Sequence, residues 1–238
     1  MKKLLSVGCS NTLGVDLEEE IGLTFFDTQH PEYDKLIGTV EDYRKAHNFS
    51  TFIAEKLEME CVNLGISGAS NERIIFNLIN YLENNSKPDF ILLNLSGQSR
   101  TTIEYENKLL DIDVKWDPDF LLDKLQVKNK NFKSYLEFHR EVSISEYNLV
   151  ERQKNLINYI DLVLNSTNIP YIISNTIPST VDLCKISDRS VDISFDEFNE
   201  EQDRKRAKNN HWLSDSHQAW GRFLLSKIEK LYPDLKLC

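Results

Sequence analysis

The chain has 238 residues, 40% hydrophobic and 28% charged, with only 8 Gly and 6 Pro, which excludes disordered, collagen-like and low-complexity classes. No apolar run approaches the roughly 18 residues of a membrane-spanning helix. Acidic residues outnumber basic ones 38 to 28, a formal net charge of −10 that repels phosphate backbones and makes nucleic acid an unexpected partner.

Residues 4–7 are a short apolar run closed by Gly8, the pattern of a strand running into a turn. Lys2 and Lys3 precede it and Cys9 follows, but the apolar stretch is shorter than the roughly 7–15 residues of a signal peptide, so a first strand is expected. Cys9, Cys61, Cys184 and Cys238 form no C-x-x-C pair, which fits a reducing, cytoplasmic setting. Residues 47–57 place Phe49, Phe52, Ile53 and Leu57 at helical spacing. A strand over 59–64 follows and ends at Gly65. Ile74, Ile75, Leu78, Ile79 and Leu82 predict a helix over 71–82, capped by Ser70 with Arg73 where a capping box has Glu. Residues 90–95 are almost continuously apolar, as in a parallel strand covered on both faces. A long amphipathic helix over 149–164, a strand over 170–174 and a final helix over 218–231 complete the series.

Alternating strands and helices predict an α/β fold of three layers, α/β/α, around a central, mostly parallel sheet. One domain, 1–238, is expected, with insertions around 15–46 and 101–148. The second insertion should hold helices near 119–125 and 132–140. Either insertion could act as a lid or as a solvated decoration.

Ligands bind outside the carboxyl ends of strands in such sheets. Three strand ends carry small polar residues: Gly8-Cys9-Ser10-Asn11-Thr12-Leu13-Gly14, Gly65 through Asn71, and Ser96-Gly97-Gln98-Ser99-Arg100. Ser10 is a candidate nucleophile at the start of a helix, although serine there is also a common cap. A serine needs a base, and His217 is a candidate, with Asp215 two residues upstream to orient its ring. The plainer reading of His217 is a surface histidine in a helix-capping loop. Backbone N–H groups of Ser10 and Gly68 could hold an oxyanion, with the Gln98 amide as a third donor. Arg100 could bind an acidic substrate group or form a structural ion pair.

These residues resemble the SGNH hydrolases, also called GDSL esterases and lipases. Gly8-Cys9-Ser10 resembles their first block, with Cys9 in place of Asp. Asn63 through Asn71 resembles their second, and Asp215-Ser216-His217 resembles a variant of their last. The third block, Gly-x-Asn, is altered: Ser99 takes the Asn position, Gln98 is the nearest amide, and Asn94 is a further alternative. The resemblance implies a serine esterase using Ser10, His217 and Asp215, with Gly68, Asn71, Gln98, Ser99 and Arg100 around the substrate. Small acyl esters are implied as substrates, often O-acetyl groups on carbohydrate. A noncatalytic glycan- or partner-binding protein on the same scaffold is the alternative. No cofactor is expected, and His211, Asp215 and His217 match no zinc spacing. Arg204-Lys205-Arg206 reads as a helical stretch paired with Glu200 and Glu201 at i,i+4.

Overall fold

A computed structural model of the chain describes residues 1–23, 33–125, 130–143, 145–207 and 210–235. Residues 24–32, 126–129 and 144 of the two predicted insertions, and Cys238, lie outside the described residues. In chain order the elements are β1 (Lys3–Gly8), the single turn α1 (Ser10–Leu13), α2 (Tyr33–His47), α3 (Phe49–Lys56), β2 (Glu60–Gly65), α4 (Asn71–Asn84) and β3 (Phe90–Leu95). Then come β4 (Arg100–Tyr105), β5 (Lys108–Asp113), α5 (Pro118–Lys124), α6 (Lys130–Ser143), α7 (Glu146–Thr167), β6 (Tyr171–Asn175), α8 (Phe195–Glu200) and α9 (Ser214–Leu231).

The central sheet has the order β2-β1-β3-β6 and every pairing is parallel. Period-two alternation sends its side chains to opposite faces. Leu5, Val7, Ile91, Leu93, Tyr171 and Ile173 pack with Ile74 and Leu78 of α4 and Ile157, Ile160 and Leu164 of α7. Leu4, Phe90, Leu92 and Ile172 pack with Phe49 and Ile53 of α3 and Trp220, Leu224 and Ile228 of α9. Each such side chain contributes roughly 1.5–3 kcal/mol on full burial, so both layers hold the strands, and their carboxyl ends, in register. Among the described residues no helix is long and apolar enough to cross a membrane.

Sequence and structure differ in three places. The helix expected from residue 47 is preceded by α2, because Asn48 breaks the run: its side chain accepts the Thr51 N–H at 3.0 Å and caps α3. The 101–148 insertion holds the two expected helices but opens with an antiparallel hairpin, β4 and β5. Its turn residues Glu106 and Asn107 both have positive φ, 49° and 60°, the geometry of a two-residue hairpin turn that usually carries Asn-Gly. Without that glycine the sequence gives little turn signal. The hairpin and helices share a small core of Ile103, Ile112, Leu121, Phe132 and Leu136. Finally, α9 starts at Ser214, four residues before the expected start.

Two glycines let the α1 turn lie flat on the sheet. A Cβ on Gly8 would fall 2.0 Å from Thr12 Oγ1, and one on Gly65 would fall 2.5 Å from the Leu13 backbone nitrogen. The Ile66 N–H donates to the Gly8 carbonyl at 3.0 Å, and Asn63 Nδ2 donates to the Thr12 carbonyl at 2.7 Å, closing the same junction. Since Gly65 meets backbone rather than a movable side-chain tip, Gly65→Ala should lower stability by about 1–3 kcal/mol, read as a lower urea midpoint with an unchanged slope.

Candidate active site

Ser10 opens α1 directly beyond the end of β1, and Cys9, the residue before it, offers the turn no side-chain cap. The first N–H groups of a helix have no acceptor within it, so the Ser10 N–H lies beside its own hydroxyl without a helical partner. Cys9 is fully buried with its sulfur 3.1 Å from Thr176 Oγ1. Thr176 donates its own hydroxyl to the Leu95 carbonyl at 2.8 Å, so the thiol is the donor. Cys9 is thus a small core residue packed beneath the turn.

The Ser10 hydroxyl meets a histidine, and it is His211. Ser10 Oγ lies 3.0 Å from His211 Nε2, and His211 Nδ1 lies 2.7 Å from Asp16 Oδ2. The carboxylate accepts the Nδ1 proton, which leaves Nε2 unprotonated to accept from Ser10. Asp16 is fully buried, and its Oδ1 has no hydrogen-bond partner among the described residues. A buried carboxylate requires a donor, and the imidazole supplies it.

Local chain geometry explains the place of Asp16. Gly14 closes α1 at φ 83°, its N–H bonded to the Ser10 carbonyl at 2.9 Å. Asp16 is also left-handed, at φ 71°, a conformation uncommon for residues other than glycine and more accessible to Asp than to most. Two left-handed residues in three turn the chain back on α1 and carry the carboxylate to the imidazole. A 3-10 turn, Leu17–Ile21, follows.

The segment carrying His211 is held from several sides. The Ala207 N–H donates to the His211 carbonyl at 2.7 Å. Trp212 is buried, donates Nε1–H to Asp196 Oδ1 at 2.6 Å, and lies under the Arg206 guanidinium at 4.0 Å. The Asp196 N–H in turn donates to the Thr176 carbonyl at 3.1 Å, which joins the His211 segment to the loop after β6.

The structure does not bring His217 to Ser10, and this corrects the sequence expectation. Because α9 begins at Ser214, His217 sits inside its first turn on the stripe of Trp220, Leu224 and Ile228, facing α3. It is fully buried, stacked on Phe49 with centroids 5.5 Å apart and edge-on to Phe195 at 5.1 Å. Its Nδ1 accepts the Phe49 N–H at 3.3 Å. Asp215 points to solvent and pairs with Arg204 at 3.2 Å, so it does not orient His217. Arg204 is free to do so because α8 ends at Glu200; the expected i,i+4 helical pairing does not form, and Arg206 reaches back to Glu200 from outside the helix.

The remaining expected residues divide between cleft and scaffold. Gly68 is exposed at φ 78° in the turn after β2, with open space where a side chain would stand. Asn71 is a clasp: its Oδ1 accepts the Ser96 N–H at 2.6 Å, while Nδ2 donates to the Ser96 carbonyl and Gln153 Oε1 at 3.1 and 2.8 Å. Both amide hydrogens are used, so it has none to offer a ligand. Ser99 Oγ donates to Asp113 at 3.0 Å, and Arg100 Nη1 donates to Ser96 Oγ at 2.9 Å, a structural contact rather than an ion pair. Asn94 is buried within β3, its Oδ1 accepting from Ser174 at 2.7 Å. Gln98 Oε1 accepts from Ser179 and Thr180 at 3.2 and 3.1 Å, and Gln98 lines a groove of about 310 Å³ with Ser99, Lys115, Ile177 and Thr180. Arg152, not anticipated, holds this loop by donating to the Gln98 and Arg100 carbonyls at 2.9 and 2.7 Å. Among the described residues no group of three or more His, Cys, Asp and Glu could hold a metal ion.

No protein-family model and no curated protein matches the chain. Solved structures similar to it include an acetyl xylan esterase from the rumen bacterium Butyrivibrio proteoclasticus, at 14% identity and a TM-score of 0.46, over 97% of this chain and 64% of that one. A family two carbohydrate esterase from Clostridium thermocellum, solved with cellohexaose, aligns at 12% and 0.46 with the same coverage. A member of the lipolytic G-D-S-L family from Veillonella parvula aligns at 13% and 0.38, over 98% of this chain and 99% of that one.

His217 gives the fold a definite acid response. Burial lowers its pKa to about 3, and the nearby His211 acts in the same direction. An unfolded chain takes up this proton below about pH 6.5, whereas the native imidazole stays neutral down to about pH 3. Protonation therefore favours the unfolded state in that window, and stability is lost as the pH falls, by up to about 1.4 kcal/mol per pH unit from this residue. His217→Gln, whose amide oxygen can still accept the Phe49 N–H, should show a smaller fall in urea-unfolding free energy between pH 7 and pH 4 than the wild type.

Proposed function

We propose that the protein is a serine ester hydrolase in which Ser10 is the nucleophile, His211 the general base and Asp16 the acid that orients the base. The observation that carries this reading is the chain Ser10 Oγ, His211 Nε2, His211 Nδ1, Asp16 Oδ2, with contacts of 3.0 and 2.7 Å. It joins a hydroxyl, an imidazole and a buried carboxylate in the order that nucleophilic acyl transfer requires.

His211 takes the Ser10 proton as the oxygen attacks the acyl carbonyl, and Asp16 stabilises the imidazolium that forms. The oxyanion is held by the Ser10 N–H and the Gly68 N–H, with the Gln98 amide, whose Nε2 hydrogens remain available, as the third donor. His211 then protonates the departing alkoxide, and water, activated by the same nitrogen, releases the acyl group. Small acyl esters, including O-acetyl groups on carbohydrate, are the substrate class that the resemblance of the Gly8-Cys9-Ser10 block implies. The noncatalytic alternative rests on the altered third and last blocks; the Ser10–His211–Asp16 contacts draw on neither block and favour hydrolysis over it.

Hydrolysis of p-nitrophenyl acetate, together with fluorophosphonate labelling mapped by mass spectrometry, tests the reading. Ser10→Ala, His211→Ala and Asp16→Asn should each lower kcat/KM by about 10³-fold or more, and the label should fall on Ser10. Asp215→Ala should stay within about twofold of the wild type, since it loses an exposed ion pair with Arg204 and local bonds from Ser216, none of which reaches Ser10, His211 or Asp16. Equal rates for Ser10→Ala and the wild type would refute the proposal.

A further inference from the structure

Two acidic residues just after Asp16 are used by neither the proposed reaction nor the core. Glu18 is fully buried and accepts a two-pronged ion pair from Arg44 of α2, with Arg44 Nε 2.8 Å from Oε2 and Nη2 on Oε1. Glu20 reaches the other way. Its Oε1 accepts both the backbone N–H and the hydroxyl of Ser214 at 2.9 Å, and its Oε2 accepts the Tyr43 hydroxyl at 2.9 Å. Ser214 is the first residue of α9, and Leu213, the cap position, has no side-chain acceptor. The Glu20 carboxylate thus fills the place of a cap at a helix end that favours negative charge.

The register of these contacts is the informative part. Asp16 bonds His211, and Glu20, four residues on, bonds Ser214, three residues on. Two cross-links thus join the same pair of segments, one through the acid and base and one beside them. The two ring bonds fix the imidazole relative to Ser10 and Asp16, and the second attachment one turn away fixes the backbone that carries Asp16 relative to the backbone that carries His211. Asp16 also holds a left-handed backbone at φ 71°, and such a conformation persists when its surroundings over-determine it.

We propose that Glu20 is a positioning residue for the Asp16–His211 pair, with the Glu18–Arg44 ion pair as the fixed footing of the turn that carries both acids. Its link to turnover rests on the serine-hydrolase reading; its effect on the Asp16–His211 bond does not. Glu20 is exposed, so its replacement leaves the core intact, whereas replacing the fully buried Glu18 would strand a half-buried guanidinium.

The test compares Glu20→Ala and Glu20→Gln with the wild type. Gln keeps an oxygen for Ser214; Ala does not. Glu20→Ala should lower kcat on p-nitrophenyl acetate about tenfold or more with KM within twofold, and Glu20→Gln should recover most of the loss. In proton NMR with ¹⁵N-labelled histidine, the low-field Nδ1–H signal that disappears in His211→Ala should broaden or vanish in Glu20→Ala and return in Glu20→Gln. A lower melting temperature in Glu20→Ala with unchanged kcat and an unchanged low-field signal would overturn the proposal and leave Glu20 as a helix cap alone. If the wild type hydrolyses no ester, the NMR arm still decides the positioning role, while the hydrolase reading fails by itself.

Discussion

The contact between Asp16 and His211 is the constraint on which the site depends. It joins residues 195 positions apart, across a fold in which both chain regions border the same sheet end. The buried carboxylate needs a donor, the imidazole needs an acceptor to fix its tautomer, and the Ser10 hydroxyl needs an unprotonated nitrogen. One hydrogen bond meets the first two needs and creates the third condition. The flanking contacts, from the Trp212 indole on Asp196 to the Arg44 fork on Glu18, hold its two ends in place.

The fold serves this contact through close packing at strand ends. Gly8 and Gly65 allow α1 to press against the sheet, and the side chains of Asn63 and Asn71 replace backbone pairing where the strands have ended. The sequence places Asn71 in a loop around the substrate and Asn63 in the segment that resembles the second block. The structure shows them acting on the chain itself, with Asn63 Nδ2 on the Thr12 carbonyl and Asn71 on both backbone groups of Ser96. Polar residues beside a cleft have two possible customers, substrate and backbone, and only hydrogen-bond geometry distinguishes them.

The α/β layering, the four parallel strands and most helices were legible because buried strands are continuously apolar and the helices show clear three- and four-residue spacing. Ser10 was legible for a related reason: a small polar residue after a glycine at a strand end stands where ligands bind. His217 was misread although a signal was present. Residues 217, 220, 224 and 228 fall on one helical stripe, so extending the last helix back by one turn places His217 with Trp220 in the core. His211, by contrast, stands in the segment before that helix, beside Trp212. Asp16 carried a weaker signal, because its role depends on a left-handed backbone that residue type alone does not specify. The β4–β5 hairpin was hidden for the same reason, as Glu106 and Asn107 adopt positive φ without a glycine between them.

The order of residues along the chain has a consequence for synthesis. The Ser10 hydroxyl and the Asp16 carboxylate come early in the chain, whereas the imidazole comes at position 211, beside the helix that together with α3 covers one face of the sheet. A nascent chain therefore carries Ser10 and Asp16 through the synthesis of the 195 residues that separate Asp16 from His211 before their common partner exists, with Leu4, Phe90 and Leu92 still lacking their cover from α9. The Ser10–His211–Asp16 contacts and the cover of this face by α9 therefore form together, once the segment from His211 through α9 is free to fold, and a chain lacking that segment has neither.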